Sequence, residues 1–318
     1  MRAFVLEDYG RIEARDLAEL AGEGAWVRVA CCGVCGSDVA VYLGKSGMRE
    51  RWRPPLVLGH EIGGVVEDGG TESAGQAVAV NPIMSCGQCD QCRRGRENLC
   101  RDRRHVGFHV PGGFGERVRV PEEQLVPLPQ GVEAWKGALA EPLAVAVQAA
   151  RRAGDVWGRR VLVVGGGGIG ALAAWVLRRS GARVTVLEAN EERRLWIERL
   201  AVADVAGRLE GEFEVVVDAA GTARSLQVSV DRCAPGGKVV AVGLGDAEVA
   251  MRLDRLVLGE LVLEGSYTYT RRVFEAAVGL LAELPDWPWE RRPADKVQEA
   301  LRDLADGRVA AGRVLLIW

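Results

Sequence analysis

Apolar residues recur along the chain in short blocks, and changes in their period mark out the elements. Over residues 1–30 the blocks are brief and partly alternating, notably at 25–30, and predict strands of a small β domain. The stretch 159–188, RRVLVVGGGGIGALAAWVLRRSGARVTVLE, behaves differently. Residues 161–164 form an apolar run with β-branched side chains and predict a strand; Ala171, Leu172, Trp175 and Val176 fall at helical spacing; residues 184–187 predict a second strand. Beyond Gly221 the alternation continues, with 223–233 helical, 238–242 a strand and 261–263 another. Such alternation predicts an α/β protein with a doubly wound parallel sheet. Residues 273–284 and 294–305 read as helices separated by a loop rich in proline and tryptophan, and 313–317 as a last strand.

What lies between the strands at 161–164 and 184–187 supplies the first candidate chemistry. Gly165, Gly166, Gly167, Gly168, Ile169 and Gly170 satisfy G-x-G-x-x-G at glycines 165, 167 and 170, and Glu188 ends the second strand eighteen residues past the last of them. Residues without a Cβ permit a tight turn and close approach of backbone to a pyrophosphate, and the N–H groups at the helix start then face the anion. Glu188 is placed to accept from the adenosine ribose hydroxyls, and its charge would repel a 2′-phosphate, so NAD is expected over NADP. The glycines alone would equally suit a flexible loop. Strand, turn, helix, strand and acid in register predict dinucleotide binding.

At 318 residues the chain has room for about two domains with cores of their own. A net charge of −3 gives no footing for nucleic acid or an anionic membrane. The opening MRAFVLEDYG meets its acids too early for a signal peptide, and no apolar run reaches the ~20 residues of a membrane span, so a cytoplasmic protein is expected. In that compartment eight cysteines point to metal before disulfides.

Their placement supports metal. Cys86, Cys89, Cys92 and Cys100 in CGQCDQCRRGRENLC stand at spacings x2, x2 and x7, which suit a tetrahedral four-thiolate zinc that staples a small lobe. An iron–sulfur cluster is the alternative, although ferredoxin motifs place their fourth cysteine after a three-residue gap, followed by proline. Cys35 lies in a glycine-rich loop beside Ser37 and Asp38, with Cys31 and Cys32 on the strand before it, and His60 and Glu61 follow Gly59. A thiolate, an imidazole and a carboxylate are the ligand set of a catalytic zinc; each of these residues could also be an ordinary core side chain.

These stretches together resemble the zinc-dependent medium-chain dehydrogenases, in particular the sorbitol and polyol dehydrogenase branch. The matching strings, in order, are GVCGSD at 33–38, GHE at 59–61, the four-cysteine lobe, GGFGERVRVP at 112–121, AEPLAV at 140–145, the glycine motif, DAAG at 218–221, PGGKVVAVGL at 235–244 and EGSYTY at 264–269. The resemblance implies a GroES-like β-rich catalytic domain over residues 1–143 and 270–318 and a Rossmann cofactor domain over 144–269. It implies two zinc ions and NAD per chain. Cys35 and His60 would hold a catalytic zinc, with Glu61 and Glu141 as neighbouring carboxylates that bind directly or through water. Read by itself, Glu141 is an acid in the first turn of a helix, where the macrodipole favours it. Ser37 would accept the substrate's hydroxyl proton, and Asp38 would orient the site. Ile169, Glu188, Arg193, Val242, Leu244 and the 267–269 segment, Thr268 included, match nucleotide-contacting positions. Relatives of this kind are homodimers or homotetramers.

The chain also departs from the pattern. Ala40 stands where a proton-relaying histidine is usual, Thr268 where polyol dehydrogenases use an arginine against substrate hydroxyls, and Val41 where a substrate-facing aromatic is common. The expected activity is hydride transfer between NAD and a secondary alcohol, polyol or sugar-like compound, with an amino-acid alcohol such as threonine as the alternative. A protein that binds NAD and zinc for sensing or structure, without turnover, is a second hypothesis, motivated by Ala40. A zinc-free quinone reductase is a third, opposed by Cys35, His60 and the cysteine lobe.

Overall fold

The strand Ala25–Val34 starts as an alternating strand and ends as an apolar one, and its burial follows the same course, half-exposed positions giving way to a buried end at Cys31–Val34. Residues on both faces of that end must therefore be covered, which makes it the centre of a sheet. In the structure, a computed structural model describing residues 1–18, 24–45, 47–68, 74–207, 209–246 and 248–318, Ala25–Val34 pairs antiparallel with Glu61–Asp68, Arg117–Val120 and Val314–Ile317. The sheet runs Leu125–Pro127, Ala77–Val80, Glu61–Asp68, Ala25–Val34, Val314–Ile317, Glu290–Pro293. A smaller sheet pairs Arg2–Asp8 with Arg11–Asp16 and Leu56–Val57.

The chain divides into two units, Met1–Ala144 with Tyr269–Val309 and Arg313–Trp318, and Val145–Thr268 with Ala310–Gly312. The first division falls inside the helix Ala140–Ala153. The second unit holds six parallel strands in the order Asp204–Ala206, Arg183–Leu187, Arg160–Val164, Phe213–Asp218, Cys233–Ala241, Val262–Gly265. Numbered along the chain this is 3-2-1-4-5-6, the doubly wound arrangement that binds nucleotides beside its first strand. The β-rich first unit and this sheet are the α/β fold read from the sequence.

One expectation fails. The proline- and tryptophan-rich stretch, expected to be a loop, contains the strand Glu290–Pro293, paired in parallel with Val314–Ile317. Its partner lies far along the chain, so local pattern carries no trace of the pairing, and Pro293 is tolerated because the strand is at the sheet edge. Trp287 and Trp289, just before it, are buried. Among the described residues no helix is long and apolar enough to cross a membrane.

Candidate metal and cofactor sites

Strand register builds the first site. Gly33 lies directly opposite Glu61, and Val34 opposite Val314, so Cys35 just past one strand, His60 just before the second and Arg313 just before the third arrive at one end of the sheet. Gly33 must lack a side chain there, because a Cβ would run into the Glu61 carboxylate. One ligand atom from each of Cys35, His60 and Glu61 lies within 4.8 Å of the other two. Cys35 caps the short helix Gly36–Tyr42, whose first turn carries Ser37 and Asp38.

Asp38, fully buried, orients the group. Its Oδ2 accepts from the Cys35 amide at 2.9 Å, and its Oδ1 accepts from the Gly59 amide at 3.3 Å and lies 3.3 Å from His60 Nδ1. That last approach is an ion-pair distance without hydrogen-bond geometry, and Nδ1 is otherwise unpartnered. On the opposite side of the ring, Nε2 is 3.4 Å from Ser37 Oγ. Burial disfavours a charge on His60, but the Asp38 carboxylate and Cys35 outweigh it and hold the imidazole pKa well above its usual value.

Arg313 was invisible in the sequence. It is 2% exposed and pairs with Glu61 Oε2, leaving Oε1 buried without a partner. Glu141, in the first turn of Ala140–Ala153, is buried close by but stands outside the three-residue group. Burial pushes its carboxyl up to about 7, with His60 opposing and Glu61 adding. Tyr269 shares this pocket; burial and Glu141 raise its phenol, whose hydroxyl makes no well-formed hydrogen bond. Cys31 and Cys32 are fully buried, and burial raises both thiols, so they are core residues.

His105, also unforeseen, stands next to His60. It belongs to the strand Arg104–His105, which pairs with Ile83–Met84. The His60 and His105 rings meet edge to face at 5.2 Å, and Phe108 lies 5.1 Å from each. Burial, with His60 adding, lowers the His105 pKa to about 3, so this ring is neutral. The chain has only three histidines, and the scarcity of the residue is the one sequence signal for His105.

The cysteine lobe closes as its spacing suggests. The four sulfurs lie within 4.8 Å of one another, with Cys89 to Cys92 and Cys100 to Cys86 both at 3.5 Å. No disulfide joins them. The Cys92 amide pulls Cys89 down to about 6 while burial and Cys89 push Cys92 up to about 12. Four thiols this close cannot all ionise unless a cation joins them.

In the second unit Gly165 adopts φ +97°, and a Cβ at Gly170 would overlap the Gly165 carbonyl oxygen. Gly167 caps the helix Gly168–Arg179 with no side chain satisfying its first amides, which leaves them for an anion. Ile169 is in that first turn, and Gly312, from the short segment Ala310–Gly312, packs against Gly167. Glu188, 6% exposed, is already engaged: Oε2 accepts from the Gly166 amide at 2.7 Å and Oε1 from the Asn190 amide at 2.8 Å. Arg193 Nη1 lies 3.4 Å from the same carboxylate. Val242 follows the strand Cys233–Ala241, its amide donating to the Asp218 carbonyl at 2.9 Å, and Leu244 is exposed. Thr268 has φ +44° and a buried hydroxyl without a partner.

Comparison with known proteins agrees with this geometry. Residues 22–130 match the family model described as alcohol dehydrogenase GroES-like domain, and residues 168–283 the one described as zinc-binding dehydrogenase. L-idonate 5-dehydrogenase (NAD(P)(+)) of Escherichia coli is 34% identical over 93% of this chain and 92% of its own. L-threonine 3-dehydrogenase of Rhizobium etli is 30% identical over 94% and 92%. A chain described as a zinc-binding dehydrogenase of Sinorhizobium meliloti, solved bound to NADP, superposes with TM-score 0.89 at 30% identity, covering 100% of this chain and 99% of the other.

Proposed function

Since the chain belongs to the zinc-dependent medium-chain dehydrogenases, in their polyol dehydrogenase-like branch, we propose that it oxidises a secondary alcohol bearing further hydroxyls. A sugar acid or polyol is the substrate class, as the names of L-idonate and L-galactonate dehydrogenases among its relatives suggest. The enzyme is an oxidoreductase acting on alcohols. The observation carrying the site assignment is the convergence of Cys35, His60 and Glu61, with Glu61 Oε1 buried and lacking a hydrogen bond.

A sulfur, a nitrogen and an oxygen so placed fit a catalytic zinc with one position left open, and the four cysteines fit a structural one. Zinc supplies Lewis-acid polarisation of an alcohol or carbonyl oxygen, and NAD the hydride acceptor. The chain's own residues do the rest. Asp38, beside Nδ1, orients the His60 ring and leaves Nε2 as the nitrogen that would hold the metal. Ser37, partly exposed and beside Nε2, takes the substrate proton and passes it to water, since Ala40 offers no side chain for a relay. Arg313 holds Glu61 by one oxygen and leaves the other for the metal. Gly165 to Gly170 receive the pyrophosphate and Glu188 the ribose, exchanging its amide bonds for hydroxyl donors.

The second unit also supports self-association into a homodimer or homotetramer. Among the described residues its edge strand Val262–Gly265 has a neighbour on one side only, and Val262, Leu263, Val257 and Leu258 beside it are exposed. A second copy continuing the sheet would satisfy the edge and cover these side chains.

The test is NADH formation by the dialysed protein given NAD and L-idonate, D-sorbitol, simple secondary alcohols or L-threonine. Turnover of a polyhydroxylated alcohol is expected; threonine as the best substrate would favour the amino-acid alternative, and flat traces the non-catalytic one. Metal analysis should show that Cys35→Ser loses one of two zinc equivalents; full retention would sink the catalytic site.

A further inference from the structure

The pocket beside His60 carries a group that the proposed reaction leaves idle. His105 is 8% exposed, and its Nδ1 lies 2.8 Å from the Val106 carbonyl oxygen. A carbonyl oxygen only accepts, so Nδ1 holds the ring proton and donates it. With the proton on Nδ1, Nε2 is the acceptor of the ring, and among the described residues no hydrogen bond to it is formed. The ring keeps some exposure, so a donor from a molecule bound beside His60 can reach Nε2.

The surroundings limit what that ligand can be. The charged groups acting most strongly on the ring are His60, Arg103 and His109, all basic. A carboxylate oxygen would set lone pair against lone pair at Nε2, and an ammonium would be repelled by Arg103 and by a metal at His60. A neutral hydroxyl can donate without either conflict. The ring meets His60 edge to face at 5.2 Å, so a hydroxyl neighbouring a group held at His60 can come within its reach. Phe108, against both imidazoles, and Trp52, 4.8 Å from Phe108, give an apolar wall along which a carbon chain can lie.

We infer that His105 is a specificity-determining residue whose Nε2 accepts a hydrogen bond from the hydroxyl on the carbon next to the one oxidised. This rests on the proposed alcohol dehydrogenase function and adds to it a preference for vicinal diols. It assigns to His105 the hydroxyl recognition absent at Thr268. The same contact would count against threonine, whose neighbouring substituent is an ammonium.

The experiment compares kcat/KM for 2,3-butanediol and 2-butanol in the zinc-loaded full chain with NAD, for the wild type, His105→Phe and His105→Gln. His105→Phe keeps an aromatic ring against Phe108 and removes the acceptor; His105→Gln returns a carbonyl oxygen at similar reach. The diol-to-monoalcohol ratio should fall about tenfold in His105→Phe, through KM for the diol, and recover largely in His105→Gln. An unaltered ratio, or equal losses on both alcohols, overturns the inference. Should His105→Phe not fold, His105→Asn, whose amide stops short of Nε2, replaces it with the same expectation. A wild type forming no NADH from either alcohol overturns the proposed function and this inference together; wild-type turnover with an unaltered ratio overturns only the role of His105.

Discussion

Asp38 touches three parts of the candidate zinc site at once: the Cys35 amide, the Gly59 amide and the His60 ring. Such outer partners fix ring orientation and ligand basicity, so Asp38→Asn should weaken zinc affinity at this site by about 10–100-fold, read by competition with a chelator, while the cysteine lobe keeps its metal. Arg313 sets a different balance. Its removal leaves Glu61 charged and buried, and Arg313→Leu should destabilise the metal-free protein by about 3–5 kcal/mol in urea unfolding, less once zinc takes over the carboxylate. Cys35, His60 and Glu61 were legible in the sequence because short contiguous strings carry them. Arg313 was not, because it acts on Glu61 across 252 residues and nothing near it announces a buried partner.

The glycine turn shows what an element demands of its residues. Gly170 sits where the helix crosses the Gly165 carbonyl, so even one methyl forces the turn apart. Gly170→Ala should therefore weaken NAD binding severely, measured by NADH fluorescence titration, while zinc content stays unchanged. Element type and order were readable here since the period of apolar residues switches from two to 3.6 and back between Arg160 and Leu187. Glu290–Pro293 escaped notice for the opposite reason: three charged residues and a proline have no strand period, and only the partner Val314–Ile317 makes them one.

For the whole molecule, the open edge of the parallel sheet is the feature with a consequence in solution. Leu258, 85% exposed, and Val262, 49% exposed, should be covered by a second copy, so Leu258→Glu with Val262→Lys should shift the mass measured by light scattering toward the monomer. A chain that is monomeric without these changes would remove the argument. Two units with separate cores were foreseeable from length and from the change of period near the glycine motif. That Ala310–Gly312 belongs with the second unit was not, since three residues inside a strand-like tail carry no pattern of their own. By itself the sequence determined the fold class, the glycine turn and the two candidate metal-ligand sets, because these depend on residue type at short spacing. Only the tertiary structure decided that Arg313 holds Glu61, that Glu141 stands apart from the three converging ligands and that His105 faces His60. These are contacts between strands paired across long loops, where register and burial, rather than any local preference, choose the neighbour.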